Sequence, residues 1–412
     1  MRKIALAFLI YCVLVALAST AYGQESWPRF RGPNGEGKAP DAVFPTSWTS
    51  ADYKWRVLLP GEGGSSPVVD GDQIFVTCGL EDGTRVIRCL DTQDGGLIWK
   101  RSFEAPAAQT HSTNSYAPST PTVDEHRVYT SWGSGEEYIV VALTRDRGEE
   151  VWRKNIGRFE GEHGFGVSPM LCKGLLIVPN ENDGESFVLA LDPETGDTVW
   201  RTPRGSESAC YGTPCLYQPE GESPQLIGAN WADGAYGLDP TDGRVLWEGP
   251  SRSYRLVASP FVASGNVFIC GGTGGVGREM HAIRIGTEAN EWDNGIAYPV
   301  EGTVPYVPTG ITLGEDVLLW TDKGTVRRLN AATGETLDEL RIGGVYYSSP
   351  ILCGDRLYCI SLRGEMRIVT ITPRLEEVGN VDLEEGSAAT PAVVNGVMYI
   401  RTISHLMALE AE

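Results

Sequence analysis

Apolar residues in this chain come in short runs, broken by tight-turn pairs such as Asp70-Gly71 and Gly95-Gly96. No stretch sustains the 3.6-residue period of a long helix. One unit shows the pattern. "SPVVDGDQIFVTC" from Ser66 reads as two strands joined at Asp70-Gly71, "TRVIRCLD" as a third and "GLIWKRSF" as a fourth. Such turn pairs between apolar runs are hairpin signals. The opening, Ser or Thr before Pro and an apolar run, returns at Pro67, Pro121, Pro169, Pro214, Pro260, Pro350 and Pro391, with Val307-Pro308 in the sixth unit. Successive prolines are 54, 48, 45, 46, 48, 42 and 41 residues apart. Four-stranded units at ~40–50 residue spacing predict an all-β propeller with eight antiparallel blades.

A second repeat marks the end of each unit. "LDPETGDTVW" (Leu191–Trp200) and "LDPTDGRVLW" (Leu238–Trp247) are near copies. Asp192 is placed to accept backbone hydrogen bonds that begin a tight turn, and Gly196 to take its positive φ. Trp200 then offers a flat ring to fill the gap between blades. The matching positions are Trp99, Trp152, Trp247 and Trp292, with Asp338 and roughly Val378 in their place in units six and seven. The last unit ends at "MALEAE" without a fourth strand, while "DYKWRVLLP" at the other end carries an orphan Trp55. That strand is expected to complete the last blade and close the ring, leaving no open edge. The expected division is a signal peptide over 1–23, an extended N-terminal segment over 24–51 and the propeller over 52–412.

The first residues add a cellular address. Arg2 and Lys3, the apolar run Ile4 to Leu17 and the small residues around Ala21-Tyr22-Gly23 read as a signal peptide cleaved before Gln24. Cys12 lies inside the apolar run, so no lipid-attachment box follows it. A periplasmic or secreted protein without an integral span is expected. Cleavage leaves 32 Lys plus Arg against 54 Asp plus Glu, a net charge of −22. No basic run appears, which argues against nucleic acid as a partner. Cys78, Cys89, Cys172, Cys210, Cys215, Cys270, Cys353 and Cys359 lack zinc or haem-attachment spacing and mostly sit in strand-like runs, as buried thiols do. Cys210 and Cys215 can pair if a turn brings them close.

The combination Ala-x-Asp-x-x-Thr-Gly-x-x-x-Trp with Ser/Thr-Pro-x-Val resembles the pyrroloquinoline-quinone-like (PQQ-like) propeller repeat over about residues 52–410. "WPRFRGPNGEG" at Trp27–Gly37 is similar to the leader of secreted bacterial members. The resemblance implies one of two branches: quinoprotein dehydrogenases that hold PQQ and calcium over the axis, or non-enzymatic scaffolds, among them the propeller lipoprotein of the outer-membrane β-barrel assembly machinery. The dehydrogenase branch implies convergent carboxylate and amide oxygens, a base and a disulfide of adjacent cysteines. No two cysteines are adjacent here, and the chain is shorter than the large alcohol dehydrogenases. Glu160, Glu162 and Glu207 are carboxylates near the presumed axis, where acids more often line a solvated channel than ligate a metal. The chain has no H-E-x-x-H, G-x-S-x-G or P-loop, "GGTGGVG" at Gly271–Gly277 opens no helix, and the five histidines lack ligand spacing.

What remains is a surface. The segments linking each outer strand to the next inner strand meet at the channel mouth and are rich in aromatics. Tyr116, His163, Phe165, Tyr211, Tyr254, Arg255, Tyr306, Tyr346 and Tyr347 are the candidate ligand- or partner-binding residues. Trp55, Trp99, Trp152, Trp200, Trp247 and Trp292 are assigned to blade docking. The expectation is an exported, monomeric, non-catalytic scaffold with an envelope or secreted protein partner and no cofactor. A PQQ/calcium-dependent oxidoreductase and a carbohydrate- or peptide-binding module are the alternatives.

Overall fold

The computed structural model describes residues 25–412, apart from 108–109, 113, 207, 253, 274–277 and 287–294. The signal-peptide stretch, Glu207 and Trp292 therefore lie outside the described residues.

Eight antiparallel sheets follow one another along the chain, and each contains the four strands of one blade. Blade 1 runs through Val68–Asp70, Gln73–Gly79, Arg85–Asp91 and Leu97–Phe103 from axis to rim. Blades 2 to 7 repeat this order. Blade 8 takes Ala392–Val394, Val397–Arg401 and His405–Glu410 from the C-terminus, and its outer strand is Trp55–Leu58. In that pairing Trp55 faces Ala408 and Leu58 faces His405. The orphan strand closes the ring, as the sequence predicts.

The repeated turn works through its residue types. Asp192 Oδ1 accepts from the N–H groups of Glu194 and Thr195 at 2.7 and 3.1 Å, and Gly196 has a φ of 75°. Trp200 stands opposite Ala190 in its own blade. Its ring covers Gly243 in the corresponding turn of blade 4, where a Cβ would stand 2.4 Å from the indole. Its Nε1 donates to the Pro240 carbonyl at 3.2 Å. The same fit joins Trp55 to Gly95, Trp99 to Gly148 and Trp152 to Gly196. The turn glycine is thus demanded twice, by a positive φ and by the neighbouring blade's ring.

Blades 4 to 7 vary the device. Trp247 keeps its register opposite Gly237, but its Nε1 donates to Gln225 of its own blade. In blade 5 the place opposite Ala282 belongs to Tyr298, not to Trp292. The Tyr298 ring lies on Gly334 of blade 6 and its hydroxyl donates to the Ala331 carbonyl at 2.6 Å. Asp338 holds the place in blade 6 and accepts from Leu375 N–H of blade 7 at 2.6 Å. In blade 7 the place falls to Gly379, one residue beyond Val378, and the Thr46 backbone covers it.

Apolar contacts between neighbouring blades form the core. Phe75 and Trp99 of blade 1 pack with Val128 and Val141 of blade 2, for example. Inner strands are buried on both faces, which is why they read as nearly continuous apolar runs. The eight cysteines are free thiols within these layers, Cys210 and Cys215 included.

Candidate functional site

A cavity of about 590 Å³ opens on the axis, on the face where outer strands link to the next inner strands. Its throat is formed by the Ser or Thr that opens each blade, and all eight positions line it. The N–H of Ser66 donates to the Thr120 hydroxyl, and that of Thr120 to Ser168. Thr213 donates to Ser259, Ser259 to Thr309, Thr309 to Ser349 and Ser349 to Thr390. Thr390 donates back to Ser66 across the closure. These seven bonds, 2.9–3.0 Å long, satisfy the N–H that precedes the inner strand in every blade but the third, a group that otherwise lacks a ladder partner. In blade 6 the ring residue is Thr309 rather than Val307, so Pro308 precedes it instead of following it. Gly310 takes the usual proline place because Phe261 lies 2.6 Å from where its Cβ would be.

The N-terminal segment supplies the floor. Trp27 pairs with Val69 of blade 1, and the Pro28 carbonyl accepts from Val123 N–H and the Thr122 hydroxyl of blade 2. Arg29 reaches Met170 Sδ of blade 3 and the Pro214 carbonyl of blade 4, both at 3.0 Å. Arg31 reaches the Gly310 carbonyl of blade 6 at 2.9 Å. The Asn34 amide bonds both backbone groups of Leu216. Lys38–Ala39 then runs parallel to Leu352–Cys353 of blade 7. A segment tied to so many blades crosses the channel, and Phe30, between the two arginines, lines the cavity. The channel becomes a funnel with one mouth.

Arg29 and Arg31 are 4% and 1% exposed. No carboxylate of the described residues pairs with either, and Arg31 Nε and Nη1 and Arg29 Nε have no hydrogen-bond partner. Burial lowers Arg29 to about 10; burial, then the charge of Arg29, lowers Arg31 to about 9. Both therefore remain cationic at neutral pH. A third buried guanidinium, Arg401, lies behind Gly63 in the funnel wall and bonds Ser65. Burial, then Arg255, hold His163 below the usual imidazole range, so it is neutral near pH 7.

Of the candidate residues, His163, Phe165, Tyr211, Tyr306 and Tyr347 line the funnel. Phe165 is also a packing residue, 4.8 Å edge-to-face from Tyr138. Tyr306 is held by Asp322, which accepts its N–H at 2.7 Å. The Tyr211 hydroxyl is buried without a partner. Tyr116 instead packs on Gly79 beneath the Arg85 guanidinium, and Tyr254 lies against Gly271. Arg255 pairs with Glu162 at 3.7 Å outside the lining. Tyr346 corrects the expectation outright. It is fully buried 5.3 Å from Trp320, because adjacent residues in an extended segment point opposite ways and Tyr347 takes the funnel side. Sequence reasoning missed Phe30, the hydroxyl ring, His111 and Asn114. His111 stands edge-on to His163 at 5.2 Å, and Asn114 Nδ2 donates to the carbonyls of His163 and Phe165, both at 2.9 Å. A hydroxyl repeated before the proline, more often than a strand start requires, was the available signal.

The family described as outer membrane protein assembly factor BamB matches residues 46–208 and 86–337, together more than half of the chain. The chain belongs to the PQQ-like propeller repeat family. Among solved structures, BamB from Moraxella catarrhalis superposes on this propeller with a TM-score of 0.62 at 15% identity, covering 87% of this chain and 96% of that one. Quinohemoprotein alcohol dehydrogenase ADHIIG from Pseudomonas putida HK5 gives 0.65 at 13%, covering 94% and 80%. The computationally designed Ika8 protein gives 0.61 at 14%, covering 87% and 99%. No curated protein matches. At these identities the structures share a fold, and a fold that hosts an assembly factor, an enzyme and a design does not fix a function.

The donors in this propeller's funnel do not suit PQQ with calcium. Calcium takes six to eight oxygen ligands with carboxylates among them. Among the described residues Glu62 is the carboxylate of the lining; the other oxygens are hydroxyls, Asn114 and backbone. No cysteine lines the funnel, and none has an adjacent cysteine partner.

Proposed function

We propose that this protein is an exported, non-catalytic, monomeric scaffold that captures an envelope or secreted protein partner in its axial funnel. The observation that carries this reading is the funnel itself: one mouth, a floor built from the chain's own N-terminal segment, and walls of tyrosines, hydroxyls and amides. Amphipathic aromatics around a concave site favour recognition. Its lining holds no nucleophile activated by a base and no cluster of metal ligands among the described residues. The family's assembly-factor branch supports the same reading. Its quinoprotein branch is the competitor, favoured by the likeness to an alcohol dehydrogenase.

Two measurements test the choice. A ligand at a hundred times its dissociation constant stabilises by ~2.7 kcal/mol. PQQ with calcium is expected to leave the melting temperature unchanged, and Tyr347→Ala to weaken partner capture with the fold intact. A calcium-dependent shift with PQQ, accompanied by dye reduction with an alcohol or sugar, establishes the dehydrogenase instead.

A further inference from the structure

We propose that the funnel receives the C-terminal end of a peptide chain, its carboxylate seated on the hydroxyl ring above Phe30 and its body between the tyrosines. The inference rests on the scaffold reading and names the part of the partner that enters.

The ring is the first observation. At seven junctions the hydroxyl oxygen accepts a backbone N–H from the preceding blade. A hydroxyl has one proton to donate besides its acceptor sites. No described acceptor takes the proton of these seven, so the throat presents a circle of unused donors to whatever stands on the axis. A group rich in acceptors belongs there.

The second observation is charge. Arg29, Arg31 and Arg401 are buried around the floor and wall and none forms an ion pair among the described residues, Glu36 acting on Arg31 only at longer range. Buried cations act over longer range than solvated ones, because water screens them less. In a chain of net charge −20 they make the inner end of the funnel locally favourable for an anion.

Shape and wall chemistry distinguish a chain end from other anions. The floor is closed by Phe30, so a ligand enters end-on and stops. Above the throat the lining formed by the described residues is uncharged apart from Glu62 and the His111–His163 pair, and the latter is neutral at His163. A small polycarboxylate would set its second and third charges against those walls. A peptide end carries one charge at its tip, with a polar backbone behind it for the lining hydroxyls and for Asn114 Oδ1, whose second acceptor site is free.

The test uses the purified protein and defined probes. A synthetic library of random hexapeptides with free carboxyl ends is passed over it, enriched sequences are read by mass spectrometry, and each is then measured by fluorescence anisotropy as the acid and as the C-terminal amide. The inference predicts enriched sequences whose amides bind at least tenfold more weakly, about the worth of one well-placed ionic contact. Arg31→Met is expected to erase most of that difference, and the acid–amide comparison stands on the unaltered protein should that variant fold poorly. Equal affinity of acid and amide overturns the proposal. So does the absence of any enriched peptide, or binding of citrate or PQQ where peptides do not bind. If no free-acid peptide binds while Tyr347→Ala still abolishes partner capture, this inference falls and the scaffold reading stands. If acids bind at the ring but Tyr347→Ala leaves capture unchanged, the capture reading is what fails.

Discussion

Removing the Trp200 ring isolates the contact that repeats around the propeller. Trp200 is 7% exposed and rests on Gly243 of the next blade, with its Nε1 on the Pro240 carbonyl. A buried tryptophan removes about 150–250 Å² from water, worth at most about 4–6 kcal/mol at ~25 cal/mol per Å². The lost hydrogen bond adds about 1 kcal/mol, and partial collapse of blades 3 and 4 onto the gap gives some back. The expected cost of Trp200→Ala is therefore ~3–5 kcal/mol, the range measured for emptying large aromatic core sites. For a chain of this size each kcal/mol lowers the melting temperature by about 1.2 °C, so calorimetry should record a fall of roughly 4–6 °C. Trp152, only half-buried in the equivalent place, should cost visibly less. A Trp200→Ala protein that melts within about 1 °C of the parent, or that loses its partner with stability intact, would refute the docking role.

Three further outcomes follow from the same contacts. Deleting residues through Thr46 should remove the floor but leave a closed, monomeric ring, whereas deleting through Leu58 exposes the His405–Glu410 strand and should cause aggregation on size-exclusion chromatography. Glu181 is fully buried, and burial holds it up to about 7 against the hydrogen bonds of Asn230 and Tyr236. Its folded form binds a proton more tightly than the unfolded chain does. Stability from this group should therefore fall by about 3 kcal/mol as pH rises from about 4.5 to about 7, and denaturant titrations should show Glu181→Gln abolishing that slope. Glu385 runs the other way: burial raises its pKa, but hydrogen bonds from Thr402, Ser404 and His405 outweigh burial and hold it at about 2. Its contribution should be present above about 4.5 and lost towards pH 2, so acid titration of Glu385→Gln should lack that loss.

The architecture was legible because its signals are local. Ser/Thr-Pro, the turn glycine and the tryptophan each do their work within a few residues or in the adjacent blade, and every unit repeats them. Legibility failed where one residue type replaced another in the same job. Tyr298 supplies a ring for Gly334 and a donor for Ala331, so the nearby Trp292 drew the assignment. The sixth unit slipped because its proline moved two places, from after the ring hydroxyl to before it, making room for Phe261 and the Arg31 contact at Gly310. The site was only half legible. Aromatics at the blade links were visible, but which of Tyr346 and Tyr347 faces the axis depends on strand phase. The floor was hidden because "WPRFRGPNGEG" means nothing locally: its partners Met170 and Gly310 lie 141 and 279 residues away from Arg29 and Arg31.

Site-specific photo-crosslinking in cells addresses partner capture most directly. A photoreactive phenylalanine analogue at Tyr347, inside the funnel, is compared with the same group at Leu97, which is 47% exposed on the outer strand of blade 1. Capture in the funnel predicts a discrete crosslinked partner from position 347 and none from position 97, with the partner's crosslinked peptide mapping near a chain end. Crosslinks from position 97 alone would place the partner on the propeller's rim and contradict the account.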